Sequence, residues 1–184
     1  MKTTKMQLYE SLKAIFLHID DHEKHFLAQY GLNVPRFYIL LHIGANPGIN
    51  YIDLSEKMLC TKSNTTRIVR GMQRDGLIER QSHPDDGRSY QLFLTPAGGA
   101  LLGRAYPAYE RMVEALMASF SEDEISRFTC DSSHIESTLA DQLYWRAYGG
   151  ATSDQRSPSQ PAGIAPYIDG KLASQGQTFQ RRNQ

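Results

Sequence analysis

The chain has 184 residues, 40% hydrophobic and 22% charged, which suits one compact domain or a small domain with helical extensions. Its 20 Lys and Arg balance 20 Asp and Glu, so no overall basic character draws it onto nucleic acid, and any such surface has to be local. The apolar stretch 37–45 is interrupted by His42 and falls short of the ~20 residues of a membrane span, nothing at the start reads as a secretory signal, and two cysteines, Cys60 and Cys130, make no disulfide framework.

Apolar residues at Leu8, Leu12, Ile15, Ile19, Phe26 and Tyr30 recur at helical spacing and predict a first helix over 6–30, ended by Gly31. Asn33 is placed to cap a second helix, with Pro35 in its first turn and Phe37, Leu40, Leu41 and Ile43 along it. The turn sequence Asn46-Pro47-Gly48 stops it. A short third helix is expected over 52–59, with Leu54 and Met58 on one face. Thr61 then caps a fourth over 62–75, with Thr65, Ile68, Val69 and Met72 inward, and Gly76 closes it. The period then changes. Residues 77–81 and 90–95 read as strands, and His83-Pro84-Asp85-Asp86-Gly87 between them makes the pair a β-hairpin. Thr95-Pro96 opens a long helix that Pro107 is expected to bend. Ser121 and Glu124 form a capping box for a last helix over 122–148, striped by Ile125, Phe128, Ile135, Leu139 and Leu143. From 149 the composition turns to Gly, Ser, Pro, Gln and Ala, so 149–184 is expected to be a disordered tail.

The order is mainly α with a small β-hairpin: a winged helix-turn-helix, in which the second helix of the pair lies in the major groove and its N-terminal residues meet base edges. The segment 61–74 contains Lys62, Arg67, Arg70 and Arg74 and no acid, so the neutral chain concentrates positive charge where that helix falls. Ser63, Asn64 and Thr66 lie at its outward start, with side chains that hydrogen-bond bases or phosphates. Arg88, just past the hairpin turn, suits a wing tip in the minor groove, and Asp86 is placed to orient its guanidinium. A basic outward face also fits a winged-helix protein-interaction module. No nucleophile elbow, P-loop or complete metal motif points to an enzyme.

The runs LSEKMLCTKSNTTR (54–67), GLIER (76–80), PDDGR (84–88) and LTPAG (94–98) resemble the MarR family of bacterial transcription regulators. The resemblance covers about residues 8–145. It implies a helical dimerisation domain over 1–31 and 96–148 flanking a DNA-binding winged helix over 32–95. It further implies a homodimer on a pseudo-palindromic DNA operator, acting as a repressor released by a small, often aromatic, ligand, in a chain whose lack of a span, signal or disulfide framework reads as cytoplasmic. Ser63, Asn64, Thr66 and Arg67 match the groove-facing start, and Asp86 and Arg88 match the wing. His83, Gly87 and Leu59 depart from the common pattern, Leu59 standing where a turn glycine is frequent.

An effector pocket between the dimerisation helices and the winged helix would draw on His18 and His22 of the first helix and on Arg36, Phe37 and Tyr38 of the second. His22 falls in the apolar stripe, which predicts partial burial. The rival reading is a metal-responsive regulator using His18, His22 and His25, with His42 approaching from the next helix, though no cysteine cluster supports it and no cofactor is expected. Cys60, before the fourth helix, reads as a buried, inert thiol.

Arg88→Ala should weaken binding to the operator by about 1–3 kcal/mol, the scale of one specific contact. Unchanged affinity in a folded, dimeric variant would remove the wing from recognition.

Overall fold

The computed structural model describes residues 3–82 and 90–148, with side chains to residue 140. In order these form α1 (Thr4–Ala28), α2 (Val34–Ala45), α3 (Tyr51–Lys57), α4 (Lys62–Arg74), β1 (Ile78–Ser82), β2 (Tyr90–Leu94), α5 (Pro96–Met117) and α6 (Glu122–Tyr148). The hairpin tip with Asp86 and Arg88, and the tail from 149, lie outside the described residues.

Side-chain caps set the helix starts. Asn33 accepts from the Arg36 N–H at 3.0 Å and Thr61 from the Asn64 N–H at 3.3 Å. Asn50 accepts from the N–H groups of both Ile52 and Asp53, which starts α3 one residue earlier than the apolar spacing indicated. Ser121 and Glu124 close a reciprocal box, the Ser121 N–H donating to Glu124 at 3.0 Å and the Glu124 N–H to Ser121 Oγ at 3.4 Å.

Helices α1, α3 and α4 end alike. The N–H groups of Leu32, Cys60 and Leu77 reach back to the carbonyls of Leu27, Ser55 and Met72, each across a left-handed residue. That residue is Gly31, Leu59 and Gly76, with φ of 68°, 48° and 71°. Leu59 thus performs the glycine's role with a side chain that is 85% exposed, and the turn before α4 keeps the same hydrogen bond as the other two.

The chain divides into two compact units, residues 1–109 and 110–184. In the first, α2 is the central element: Phe37, Ile39, Leu40 and Ile43 are fully buried. α1 contributes Leu27, α3 Leu54, α4 Val69 and Met72, and α5 Leu102 and Ala105 to the same core. β1 and β2 pair antiparallel, Ile78 opposite Leu94 and Ser82 opposite Tyr90. Ile49, in the turn after α2, bridges to Leu92 and adds a short third edge that the sequence did not indicate.

The hairpin is locked to α5 through Thr95. Its N–H donates to the Leu77 carbonyl, its hydroxyl donates to the Gly76 carbonyl at 2.6 Å, and the same oxygen accepts from the Gly98 N–H. This brings the first turn of α5 so close to Leu77 that a Cβ on Gly98 would lie 2.1 Å from the Leu77 carbonyl oxygen. α5 continues through Pro107. In the second unit, Phe120 and Phe128 stack edge-on at 5.8 Å beside the capping box. Among the described residues no helix is long and apolar enough to cross a membrane.

Gly98→Ala should destabilise the fold by about 1–3 kcal/mol, since the backbone must shift to admit the methyl. Urea unfolding measures this, and a midpoint equal to wild type would disprove the close approach.

Candidate nucleic-acid interface

α4 buries one face and presents the other. Thr65, Val69 and Met72, at spacings of four and three, are buried, with Ile68 half-buried beside them. The opposite face carries Ser63, Thr66, Arg67, Arg70 and Arg74, which together with Lys62 line one open groove. No acid sits in the first turn, and the positive end of the helix dipole adds to Lys62 there. Asp75, the acid that follows Arg74, is taken up by an ion pair with Arg36 of α2.

The residues singled out in the sequence divide as follows. Lys62, Ser63, Thr66, Arg67, Arg70 and Arg74 all come together in the groove. Asn64 does not line it. Its Oδ1 accepts from Arg67 Nη2 at 3.0 Å and its amide faces Cys60 Sγ at 3.8 Å, so it braces an arginine of the groove from the side. The Thr66 hydroxyl donates to the Lys62 carbonyl at 2.7 Å. Two residues were missed: Gln73 on α4 and Arg80 on β1 complete the lining. Gln73 follows from the helical period. Arg80 occupies the strand position in register with buried Leu92, an inward parity where an arginine is out of place. Cys60 is half-exposed rather than buried, since the left-handed turn at Leu59 carries it to the surface end of α3.

The model sequence of the MarR family matches residues 32–90, the stretch from the turn before α2 to the start of β2. Over this stretch the chain is similar to the MarR family of regulators. It is 28% identical over 120 residues to the HTH-type transcriptional regulator BilQ of Clostridioides difficile, covering 63% of this chain and 81% of that protein. It is 27% identical to the HTH-type transcriptional repressor YetL of Bacillus subtilis, covering 67% and 75%. Among solved structures, the transcriptional repressor CouR bound to a 23-mer DNA duplex superposes with a TM-score of 0.66 at 26% identity, covering 73% of this chain and 97% of that one.

The side chains assigned to an effector in the sequence lie as follows. His18, His22 and His25 are exposed on α1. The buried member of that helix turn is Glu23, 8% exposed, because α1 turns positions 23 and 27 toward α2. Phe37 is fully buried core, against the rings of Tyr38 and Tyr109, and Arg36 is held by Asp75. His42 is buried, and burial, then the charge of Lys57, pushes its pKa down to about 4. Among the described residues no three His, Cys, Asp or Glu side chains gather as metal ligands.

Tyr38, one of the residues assigned to the pocket, belongs to a polar joint between α1, α2 and α5. Glu23 Oε1 accepts from the Tyr38 hydroxyl of α2 at 2.9 Å and the Tyr109 hydroxyl of α5 at 2.6 Å, and the two hydroxyl oxygens are 3.0 Å apart. Phe26 and Phe37 pack on the Tyr109 ring. Burial, with the acceptor bond to Glu23, raises both phenol pKa values, Tyr38 up to about 12 and Tyr109 further.

A phenol whose pKa is raised by folding adds stability below its unfolded value near 10, and loses it as the pH climbs through the folded value. Urea-unfolding free energy should therefore fall between pH 10 and about 12, and Tyr38→Phe should flatten part of that fall. An identical alkaline profile in the variant would contradict the joint.

Proposed function

We propose that this chain is a homodimeric, sequence-specific DNA-binding transcription regulator of the cytoplasm, a repressor released by a small aromatic effector, and not an enzyme. The observation that carries the reading is the cationic outward face of α4, held in one open groove by a buried opposite face. A duplex presents phosphates at regular spacing on either side of a groove that admits a helix, and such a face neutralises them while its first residues meet base edges. Lys62, Ser63, Thr66, Arg67, Arg70 and Arg74 are assigned to that contact, Asn64 to holding Arg67, and Asp86 with Arg88 to the wing.

Dimerisation through 1–31 and 96–148 is supported by apolar side chains that each unit leaves exposed. In the first unit α1 presents Ile15, Phe16, Leu17 and Ile19 to solvent, and in the second Phe128 and Leu139 are about half exposed. A second copy covering them would place two α4 helices on one operator, over the winged helix of 32–95. The effector reading is supported by the aromatic joint at Glu23. Parting Glu23 from Tyr38 and Tyr109 frees α1 and α5 from α2, and α2 carries the Arg36 anchor of α4, so a ligand favouring the parted state shifts the population away from the DNA-competent one.

The test is selection of bound fragments from a genomic duplex library by the purified protein, followed by titration of the selected site over a range of salt. One recurrent pseudo-palindrome is expected, with log affinity falling steeply and linearly in log salt, by about 0.9 per phosphate contacted. No enrichment of any sequence, or affinity indifferent to salt, would overturn the reading in favour of a protein-interaction module.

A further inference from the structure

We infer that Arg80 is a pre-aimed phosphate clamp, held by stacking on Tyr90, that grips the DNA backbone beside the C-terminal half of α4. This rests on the regulator reading above and adds to it a residue on the hairpin stem rather than on the recognition helix or the wing tip.

The alternation of β1 puts Arg80 on the face of Ile78, opposite Leu92, while Glu79 and Gln81 point to the other side, where they bond each other at 3.1 Å. An arginine at an inward parity must turn its head out from under the sheet. It does so across the Tyr90 ring, with the guanidinium carbon 4.4 Å from the ring centroid. Arg80 has no ion-pair partner among the described residues, and its head is exposed. From β1 it lines the same groove as Arg70, Gln73 and Arg74. Tyr51, at the start of α3, feels the charges of both Arg80 and Arg70, which places the two guanidinium groups on one neighbourhood.

The stack decides what Arg80 binds. A guanidinium held over a ring by its carbon leaves N–H donors free at its edge, and those donors can take two oxygens of a phosphate at once. Base edges are met by the first turns of a recognition helix, whereas Arg80 reaches in from β1 in the neighbourhood of Arg70, in the second half of α4. The stacking also removes rotamer freedom in the free protein, so less is lost when the phosphate binds. Tyr90 is accordingly a positioning residue and Arg80 the contact.

The experiment is titration of the selected operator by the full chain at several salt concentrations, for wild type, Arg80→Ala, Arg80→Lys and Tyr90→Leu, each checked by thermal melting. Arg80→Ala should weaken binding about tenfold on every duplex alike and reduce the salt slope by about two for a dimer, one phosphate for each protomer. Arg80→Lys keeps the charge and the slope while losing the two-oxygen grip, so affinity falls a few-fold. Tyr90→Leu should do the same, leaving the slope intact because the cation is still present. A slope and affinity unchanged by Arg80→Ala, in a protein that binds its operator normally, overturn the clamp and leave the regulator standing. A changed base preference at one operator position would reassign Arg80 to base reading and overturn it equally. A wild-type chain that binds no duplex removes both.

Discussion

Helix α4 can satisfy its apolar side in only one way, by laying Thr65, Val69 and Met72 on the core built around α2. Once that side is down, the 3.6-residue period leaves Lys62, Ser63, Thr66, Arg67, Arg70 and Arg74 nowhere to go but outward. The arginines repel one another, and nothing in the first turn neutralises them, so the helix tolerates this face because its ends are fixed independently: Thr61 caps the start, and Gly76 with the Leu77 N–H closes the finish. The interface proposed for DNA is therefore a by-product of packing geometry and end-capping, not of overall charge, which is zero.

Two polar connections run from α2 to its neighbours in the first unit. Arg36 of α2 holds Asp75 just beyond α4, and Tyr38, two residues further along α2, holds Glu23 together with Tyr109. Both connections start from the first turns of α2, the buried central helix of the unit. A buried acid bonded to two hydroxyls is stable only while all partners stay in place. The rings of Phe26 and Phe37 pack on Tyr109 around it.

The fold was largely legible because its punctuation is local. Asn33, Thr61 and the Ser121–Glu124 pair announce their helices, Gly31 and Gly76 end two of them, and the change from helical to alternating period marks the hairpin. What escaped depends on contacts distant in sequence. The strand-like bridge from Ile49 to Leu92 has no periodic signature. Apolar spacing placed His22 inward, whereas α1 turns Glu23 inward because Tyr38 and Tyr109, from two other helices, supply its hydrogen bonds. Phe37 was read as a ligand contact because aromatic residues serve both pockets and cores, and only the packing separates the two. Arg80 did carry a signal, a charge at an inward strand position, but its meaning required the Tyr90 ring across the hairpin.

The central claim is physical contact between the outward face of α4 and the major groove. Its most direct measurement is photo-crosslinking from a photoreactive side chain placed at Ser63, with one at Glu136 on α6 as the control, using the selected operator. The account predicts adducts from position 63 mapped to bases within the operator and none from position 136. Adducts from neither position while the operator stays bound, or from position 136 alone, would contradict it.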